Sequence, residues 1–309
     1  MTTPPSADGG PLSLETARRN LGGYAMPVDR TDRVPLSVAV GRVLAADATA
    51  NAPVPEAGIG PDDVVFETGR QVRPGDVGLL KSAGVGDLLV RQRPQVGIVP
   101  TGDEFAAPEA GGDGGVETAG FTLAQYVDRW GGKVTYRNAV ADDAPALRMA
   151  VQRDLTRDLV VVTGTEPDDT LRSVVADLGE VSGDGIAIDP GGDTGLAVVE
   201  DRPVLLLPES AVGARVAAVQ LLRPLLKSFA GCPLAPHPTQ TATLTEPLEA
   251  EASLRTFAPV SVTGGEATPL RGTDLETASR ADGWVTVPPG HEGRDAGESV
   301  GVENWDYLP

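Results

Sequence analysis

Between Pro94 and about Gly231 the chain alternates short, continuously apolar runs with segments whose apolar residues recur at helical spacing. Apolar runs of strand length closed by turn residues mark strands buried on both faces. Their alternation with amphipathic segments predicts a parallel sheet covered by helices. Strands are predicted at Gln95–Val99, Lys133–Ala139, Leu159–Thr163, Ile186–Ile188, Leu196–Val199 and Val204–Leu207. Helices are predicted over Glu117–Trp130, Ala144–Leu155, Leu171–Leu178 and Ser210–Phe229. Asp143 is an N-cap for the second of these, with Pro145 in its first turn. Breakers set the ends: Pro94 and Pro100 bound the first strand, Gly131-Gly132 stop the first helix, and Gly164-Thr165 end the third strand.

The flanking segments read differently. Residues 1–11 read as a disordered tail, and Ser13–Asn20 as a capped helix. Val34–Asp47 alternates like a strand running into a short helical turn. Ala52–Asp63, rich in Pro and Gly, reads as a loop or linker. Arg70–Gly84 is a helix begun by Pro74 and ended by Gly84, and Val85–Val90 a strand. Beyond the Pro/Thr-rich stretch after Cys232, residues 242–309 show short alternating runs between Gly-containing turns, an all-β pattern. The predicted division is therefore 12–92, 94–231 and 240–309.

Composition narrows the function classes. The 309 residues are 40% hydrophobic but only 4% aromatic, so the core is mostly Val, Leu and Ala. Net charge is −19, spread along the chain, and only Lys81, Lys133 and Lys227 are lysines. This suits a solvated surface in a high-salt cytoplasm, where screening shortens to about 3 Å at 1 M; it also suits an ordinary acidic protein. With no basic patch to neutralise phosphates, nucleic acid is not an expected partner. One cysteine, Cys232, excludes an intrachain disulfide, and His237 and His291 lie in Pro/Gly-rich segments unsuited to a metal or triad site. No apolar run reaches the roughly 18 residues of a membrane span, and the N-terminus lacks a signal-peptide pattern; a cytoplasmic location is expected.

The candidate chemistry lies in V-G-I-V-P-T-G-D-E-F, Val96–Phe105. Here a buried strand ends in a hydroxyl, bare backbone and two carboxylates, at the strand end where open α/β sheets bind ligands. Taken alone, the stretch also reads as an ordinary βα turn with a capping Asp.

The order of motifs resembles the molybdopterin molybdenumtransferase family, MoeA and the gephyrin E domain. Thr101-Gly102-Asp103-Glu104 is similar to that family's S-T-G-D-E-L turn. Arg33-Val34-Pro35-Leu36 with Gly41-Arg42-Val43-Leu44-Ala45 is similar to its R-V-P-L…A-L-G-R-V-L-A opening. Gly78-Leu79-Leu80 with Ser82-Ala83-Gly84-Val85, Asp142-Asp143 at a helix start, Pro203–Pro208, and Ser279-Arg280-Ala281-Asp282-Gly283-Trp284 follow in the family's order. The resemblance implies an α/β fold: a three-layer molybdopterin-binding domain with a small N-terminal module and a C-terminal β-barrel. It implies insertion of molybdate into adenylylated molybdopterin with release of AMP, dependent on Mg²⁺, in a homodimer. By that resemblance Asp103 and Asp143 are the catalytic and metal-binding carboxylates. Thr101, Gly102, Glu104, Thr163, Gly164, Thr165, Pro190, Gly191, Pro208 and Ser210 line the pterin and phosphate site.

The chain also departs from the family pattern. The family's second domain is missing near 52–66, where only Asp63 could stand for the Asp of the motif that begins it. The S-G-G-V-S-V-G loop is Thr163-Gly164-Thr165-Glu166-Pro167-Asp168. The basic R-P-G-K-P turn is Asp189-Pro190-Gly191-Gly192-Asp193, and the helix start L-P-G-N-P carries Glu209. A helix N-terminus that binds phosphate does so through bare N–H groups and its dipole, and acids there invert the local charge. The alternative expectation is a catalytically degraded paralogue that serves as a binding or assembly module for an intact relative.

Overall fold

The computed structural model describes residues 10–106, 116–165, 170–183 and 185–306. The Gly-rich loop expected at Glu109–Gly115, residues 166–169 and most of the N-terminal tail lie outside the described residues.

The apolar runs of the middle of the chain form one six-stranded sheet. Its parallel strands are β3 (Gln95–Pro100), β4 (Lys133–Tyr136), β5 (Leu159–Thr165) and β7 (Arg202–Pro208). They follow α1 (Leu14–Gly22), β1 (Thr31–Pro35), α2 (Pro74–Ser82) and β2 (Asp87–Arg91) in the chain. The order across the sheet is β4-β3-β5-β7, continued antiparallel by β6 (Gly195–Val199) and Glu180–Val181.

Alternation along the strands decides which helix covers which face. Val96, Ile98, Leu159, Val161, Leu205 and Leu207 pack against α3 (Ala119–Arg129) and the long helix that follows β7. Val99, Val160, Val162, Val204 and Leu206 pack against α4 (Ala144–Asp154) and α5 (Thr170–Leu178). Each such fully buried Val or Leu stabilises the fold by about 1.5–3 kcal/mol.

Several elements differ from the sequence expectation. β5 does not break at Gly164-Thr165; it continues through them with a bulge, so that Leu207 pairs with Thr163 and Pro208 with Thr165. Gly164 takes φ +84°, which opens the bulge without a Cβ penalty. Ala52–Asp63, read as a loop or linker, is a loop with an ordered place in the fold. It is the closed end of a hairpin between Ala48–Thr49 and Val64–Phe66, with Val54 paired to Ile59 and buried. The strand expected within Val34–Asp47 lies earlier, as β1, paired antiparallel with β2. Ile186 and Ile188 do not join the central sheet: Ile186 bridges Leu12, and Ile188–Asp189 adds to the C-terminal sheet beside Arg255–Thr256.

The helix expected over Ser210–Phe229 is continuous but not uniform. It runs as α6 (Ala211–Ala217), a π turn (Ala218–Leu222) and α7 (Arg223–Ala230). Pro224 has no N–H for the carbonyl of Gln220, one turn back. Arg18 of α1 supplies the donor: its Nε lies 2.9 Å from that carbonyl, and its Nη2 bonds the Gln220 side chain.

The C-terminal strands β8 (Thr239–Leu244), β9 (Arg255–Thr263), β10 (Glu266–Pro269), β11 (Gly283–Val287) and β12 (Ser299–Glu303) close on themselves. The ring runs β10-β8-β12-β11-β9 and back to β10. Closure removes sheet edges. Ala242, Val260, Val285 and Val302 fill the interior. A short α8 (Leu275–Arg280), capped by Asp274, packs against α6.

Candidate active site

The carboxyl ends of β3 and β5 are knitted together by the residues that follow them. Thr101 is buried; its N–H donates to Thr163 O at 2.9 Å, and its Oγ1 donates to Thr163 O at 3.0 Å and to Gly164 O at 3.3 Å. Gly102, at φ +135°, donates its N–H to Val140 O at 3.2 Å. That hydrogen bond draws the 140–143 segment alongside. There Asp103 Oδ1 accepts from Asp142 N at 3.0 Å, and Asp143 Oδ1 caps α4 by accepting from Ala146 N at 3.1 Å. The two carboxylates singled out from sequence thus stand on adjoining strand ends. Glu104 continues the turn in the helix Asp103–Ala106; its side chain and that of Thr165 lie outside the described residues.

Thr163 is 1% exposed, and its Oγ1 has no partner among the described residues. Gly120, in the first turn of α3, packs against it: a Cβ there would sit 3.2 Å from that oxygen. A buried hydroxyl at such a strand end marks a polar contact not made among the described residues.

Pro208 and Ser210 form a second group. The Thr165–Pro208 pair brings them beside the first, and Ser210 occupies the N-cap position of α6 without a capping side-chain bond. Pro190 and Gly191 reach the same helix start through Gly213, a residue the sequence reading missed. A Cβ on Gly213 would lie 2.4 Å from Ser210 Oγ, and a Cβ on Gly191 would lie 3.0 Å from Gly213 O. The small residues Ala211, Gly213 and Ala214 in sequence were the available signal for this close approach.

Electrostatics at this second group is acidic. Partial loss of solvation, with Glu251 nearby, pushes the Asp189 carboxyl up, and burial does the same for Asp193. One amide of the α6 start is already used, because Val212 N donates to Thr273 O at 3.0 Å. Beyond it opens a cleft of about 320 Å³ between the turn and the barrel, lined by Asp189, Pro190, Thr256, Phe257, Arg271 and Thr273. Thr256, also missed from sequence, is buried with its Oγ1 unpartnered among the described residues.

A carboxyl whose pKa is raised by folding carries a penalty that is full above the folded pKa and vanishes below the unfolded one. Replacing Asp189 with Asn therefore stabilises the protein at neutral pH, by less than about 0.5 kcal/mol because the group keeps contact with solvent. The gain disappears as pH falls below the ordinary carboxylate range. Urea midpoints of the two proteins across pH check this; a gain that grows toward acid pH has the wrong sign.

The donor set can be tested against Mg²⁺. Magnesium takes oxygen ligands and is commonly held by one or two carboxylates completed by water and substrate phosphates. Asp103 and Asp143 each commit one oxygen to a backbone N–H and leave the other without a partner among the described residues. They fit such a site. No group of three or more His, Cys, Asp or Glu side chains that could form an all-protein cage stands among the described residues.

The comparisons agree with this architecture. Residues 97–228 match the model of a probable molybdopterin binding domain, and residues 241–305 match the MoeA C-terminal region, domain IV. The chain is 26% identical over 264 residues to molybdopterin molybdenumtransferase 2 of Mycobacterium tuberculosis, covering 80% of this chain and 65% of the relative. It is 27% identical over 175 residues to the molybdopterin molybdenumtransferase of Haemophilus influenzae, covering 55% of this chain and 43% of the relative. The chain thus spans less than two thirds of the length of these relatives. In fold it superposes on the molybdopterin biosynthesis MoeA protein of Pyrococcus horikosii with a TM-score of 0.80 at 20% identity, covering 96% of this chain and 99% of that one. With the molybdopterin-binding module and the MoeA C-terminal module both matched and in the family's order, this chain belongs to the MoeA family.

Proposed function

We propose that the chain acts in molybdenum cofactor biosynthesis as a molybdopterin molybdenumtransferase-like enzyme, taking adenylylated molybdopterin and molybdate as substrates. The observation that carries this is the convergence of Thr101, Gly102 and Asp103 with Thr163 and Gly164, and with the 140–143 segment that carries Asp143, at the carboxyl ends of β3, β4 and β5. In this reading Asp103 and Asp143 hold a divalent cation, which when bound screens the pyrophosphate and polarises its oxygens. Asp142 N fixes the Asp103 carboxylate, and the α4 cap fixes that of Asp143, so the remaining oxygen of each is held in place. Thr163 Oγ1 and the backbone of Gly102 and Gly164 bind and orient the substrate. The homodimer, the missing second domain and the cytoplasmic location belong to the same proposal; among the described residues no helix is long and apolar enough to cross a membrane.

A second reading, a degraded paralogue that binds without turnover, is favoured by the acids at 189 and 193 and by the occupied Val212 amide. Purified protein supplied with Mg²⁺, adenylylated molybdopterin and molybdate separates the two. The enzyme reading expects molybdate-dependent AMP release, reduced about 100-fold or more in Asp103→Ala. Substrate binding without any AMP release leaves the second reading standing, and AMP release unchanged in Asp103→Ala removes Asp103 from the site.

A further inference from the structure

A separate cavity of about 390 Å³ opens where α1, the π turn, the 234–237 segment and the end of β12 meet. None of its residues belongs to the candidate active site. Arg18 and Arg223 stand on its walls, with His237, Glu303, Leu234 and Pro224. Many guanidinium groups of this acidic chain hold carboxylates: Arg30, Arg42, Arg70, Arg137 and Arg157 each reach an Asp at 2.6–2.9 Å. Arg18 and Arg223 differ. Among the described residues neither has a carboxylate oxygen within the 4.0 Å of an ion pair. Arg18 is occupied by Gln220, and Arg223 Nη2 donates to Ala235 O at 2.6 Å. A guanidinium carries five N–H donors, so both retain donors beyond these contacts.

The acids nearby are committed. Glu303 accepts from Trp284 Nε1 at 3.0 Å and pairs its other oxygen with His237 Nδ1 at 2.8 Å. Glu15 pairs with Arg255 at 2.8 Å. Burial pushes both Arg18 and Arg223 down from the ordinary guanidinium range, and the charge of Glu303, with that of Glu15 at Arg18, offsets this only in part. A concave site with low-dielectric walls concentrates such a field. The Pro224 wall and Leu234, which is 45% exposed, supply apolar surface next to it.

We propose that this cavity binds a small organic anion, a carboxylate or phosphate on an apolar body, with the charge between Arg18 and Arg223 and the body against Leu234 and Pro224.

The test is calorimetric titration of the full chain with hexanoate, hexyl phosphate and inorganic phosphate, at the lowest ionic strength that keeps it folded. Saturable binding is expected for at least one hexyl probe, about tenfold tighter than for inorganic phosphate. The tighter of the two hexyl probes identifies the head group. Arg223→Gln weakens binding about tenfold or more, and Arg223→Lys retains part of it. Leu234→Asp, a change at an exposed side chain, also weakens it and serves if Arg223→Gln does not fold. Asp103→Ala leaves it unchanged, which keeps this site independent of the proposed activity. No saturable binding of any probe, wild-type affinity in both folded Arg223→Gln and Leu234→Asp, or inorganic phosphate binding as tightly as the hexyl probes overturns the proposal.

Discussion

Replacing Asp154 with alanine lowers the stability of the fold by about 3–5 kcal/mol. Asp154 closes α4 with its side chain at 0% exposure. Arg137 grips it through Nε at 3.0 Å and Nη2 at 2.8 Å, and Arg157 Nε adds a third bond at 2.9 Å. Removing the carboxylate leaves three guanidinium groups without it, those of Arg137, Arg157 and Arg153, 26%, 20% and 49% exposed. Strand β3 makes room for the cluster at Gly97, where a Cβ would lie 2.9 Å from Asp154 Cβ and Cγ. Burial alone would raise this carboxyl; the bonds from Arg137 and Arg157 more than reverse that and hold it below its ordinary value. A depressed carboxyl contributes stability that is present above the unfolded pKa and lost as pH falls through the folded one. The gap between wild type and Asp154→Ala is therefore full at neutral pH and narrows as pH drops below about 4. Urea denaturation at a series of pH values measures it, and a loss smaller than about 1 kcal/mol at pH 7 contradicts this account.

The second large effect is expected from Gly164→Ala. Two costs coincide at this residue. Its φ of +84° disfavours any L side chain, and its Cβ would meet Thr101 O at 2.6 Å. Thr101 O is backbone, so relief requires the end of β3 to move. That movement would pull on the Thr101–Thr163 bonds and displace Gly102 and Asp103. A stability loss of about 1–3 kcal/mol follows from the backbone strain, and displacement of about 1 Å at a reacting group can cost about 100-fold in turnover. Gly131→Ala is the control, since Gly131 has φ +95° and nothing within 4 Å of its Cβ. It pays the φ cost without the overlap. Both variants are compared by thermal melting and by molybdate-dependent AMP release. Equal behaviour of the two would mean the close approach to Thr101 carries no cost.

Much of the fold was legible because its signals are local. Asp143 caps the residues three positions on, Pro74 opens α2, and Gly84 follows its end; each effect acts within one turn of chain. The buried strands announced themselves by continuous apolar runs, and the alternation of their neighbours was enough for a parallel sheet. The candidate site was legible to the extent that its residues immediately follow strands: Thr101–Asp103 after β3, and Gly164 beside the bulge in β5. Thr163 was readable as a position but not as an orphaned hydroxyl, because that depends on Gly120 packing over it.

By itself, the amino-acid sequence determined where apolar surface must be buried, where helices begin, and which turns end in oxygen-bearing groups. Periodicity and capping depend only on neighbours along the chain. The tertiary structure alone decided which distant groups meet. Ile188–Asp189 left the sheet its hydrophobicity suggested and joined the barrel beside Arg255–Thr256. Arg18 found the carbonyl that Pro224 leaves without a donor, 202 residues away. Arg137 met Asp154 because β4 and α4 flank the same strand, and Gly213 drew the 189–193 turn onto the start of α6. Apolar patterning specifies that a position is buried, not what buries it. The partner of a polar group inside the fold is set by the packing of whole elements, and that is where charge at both cavities was decided.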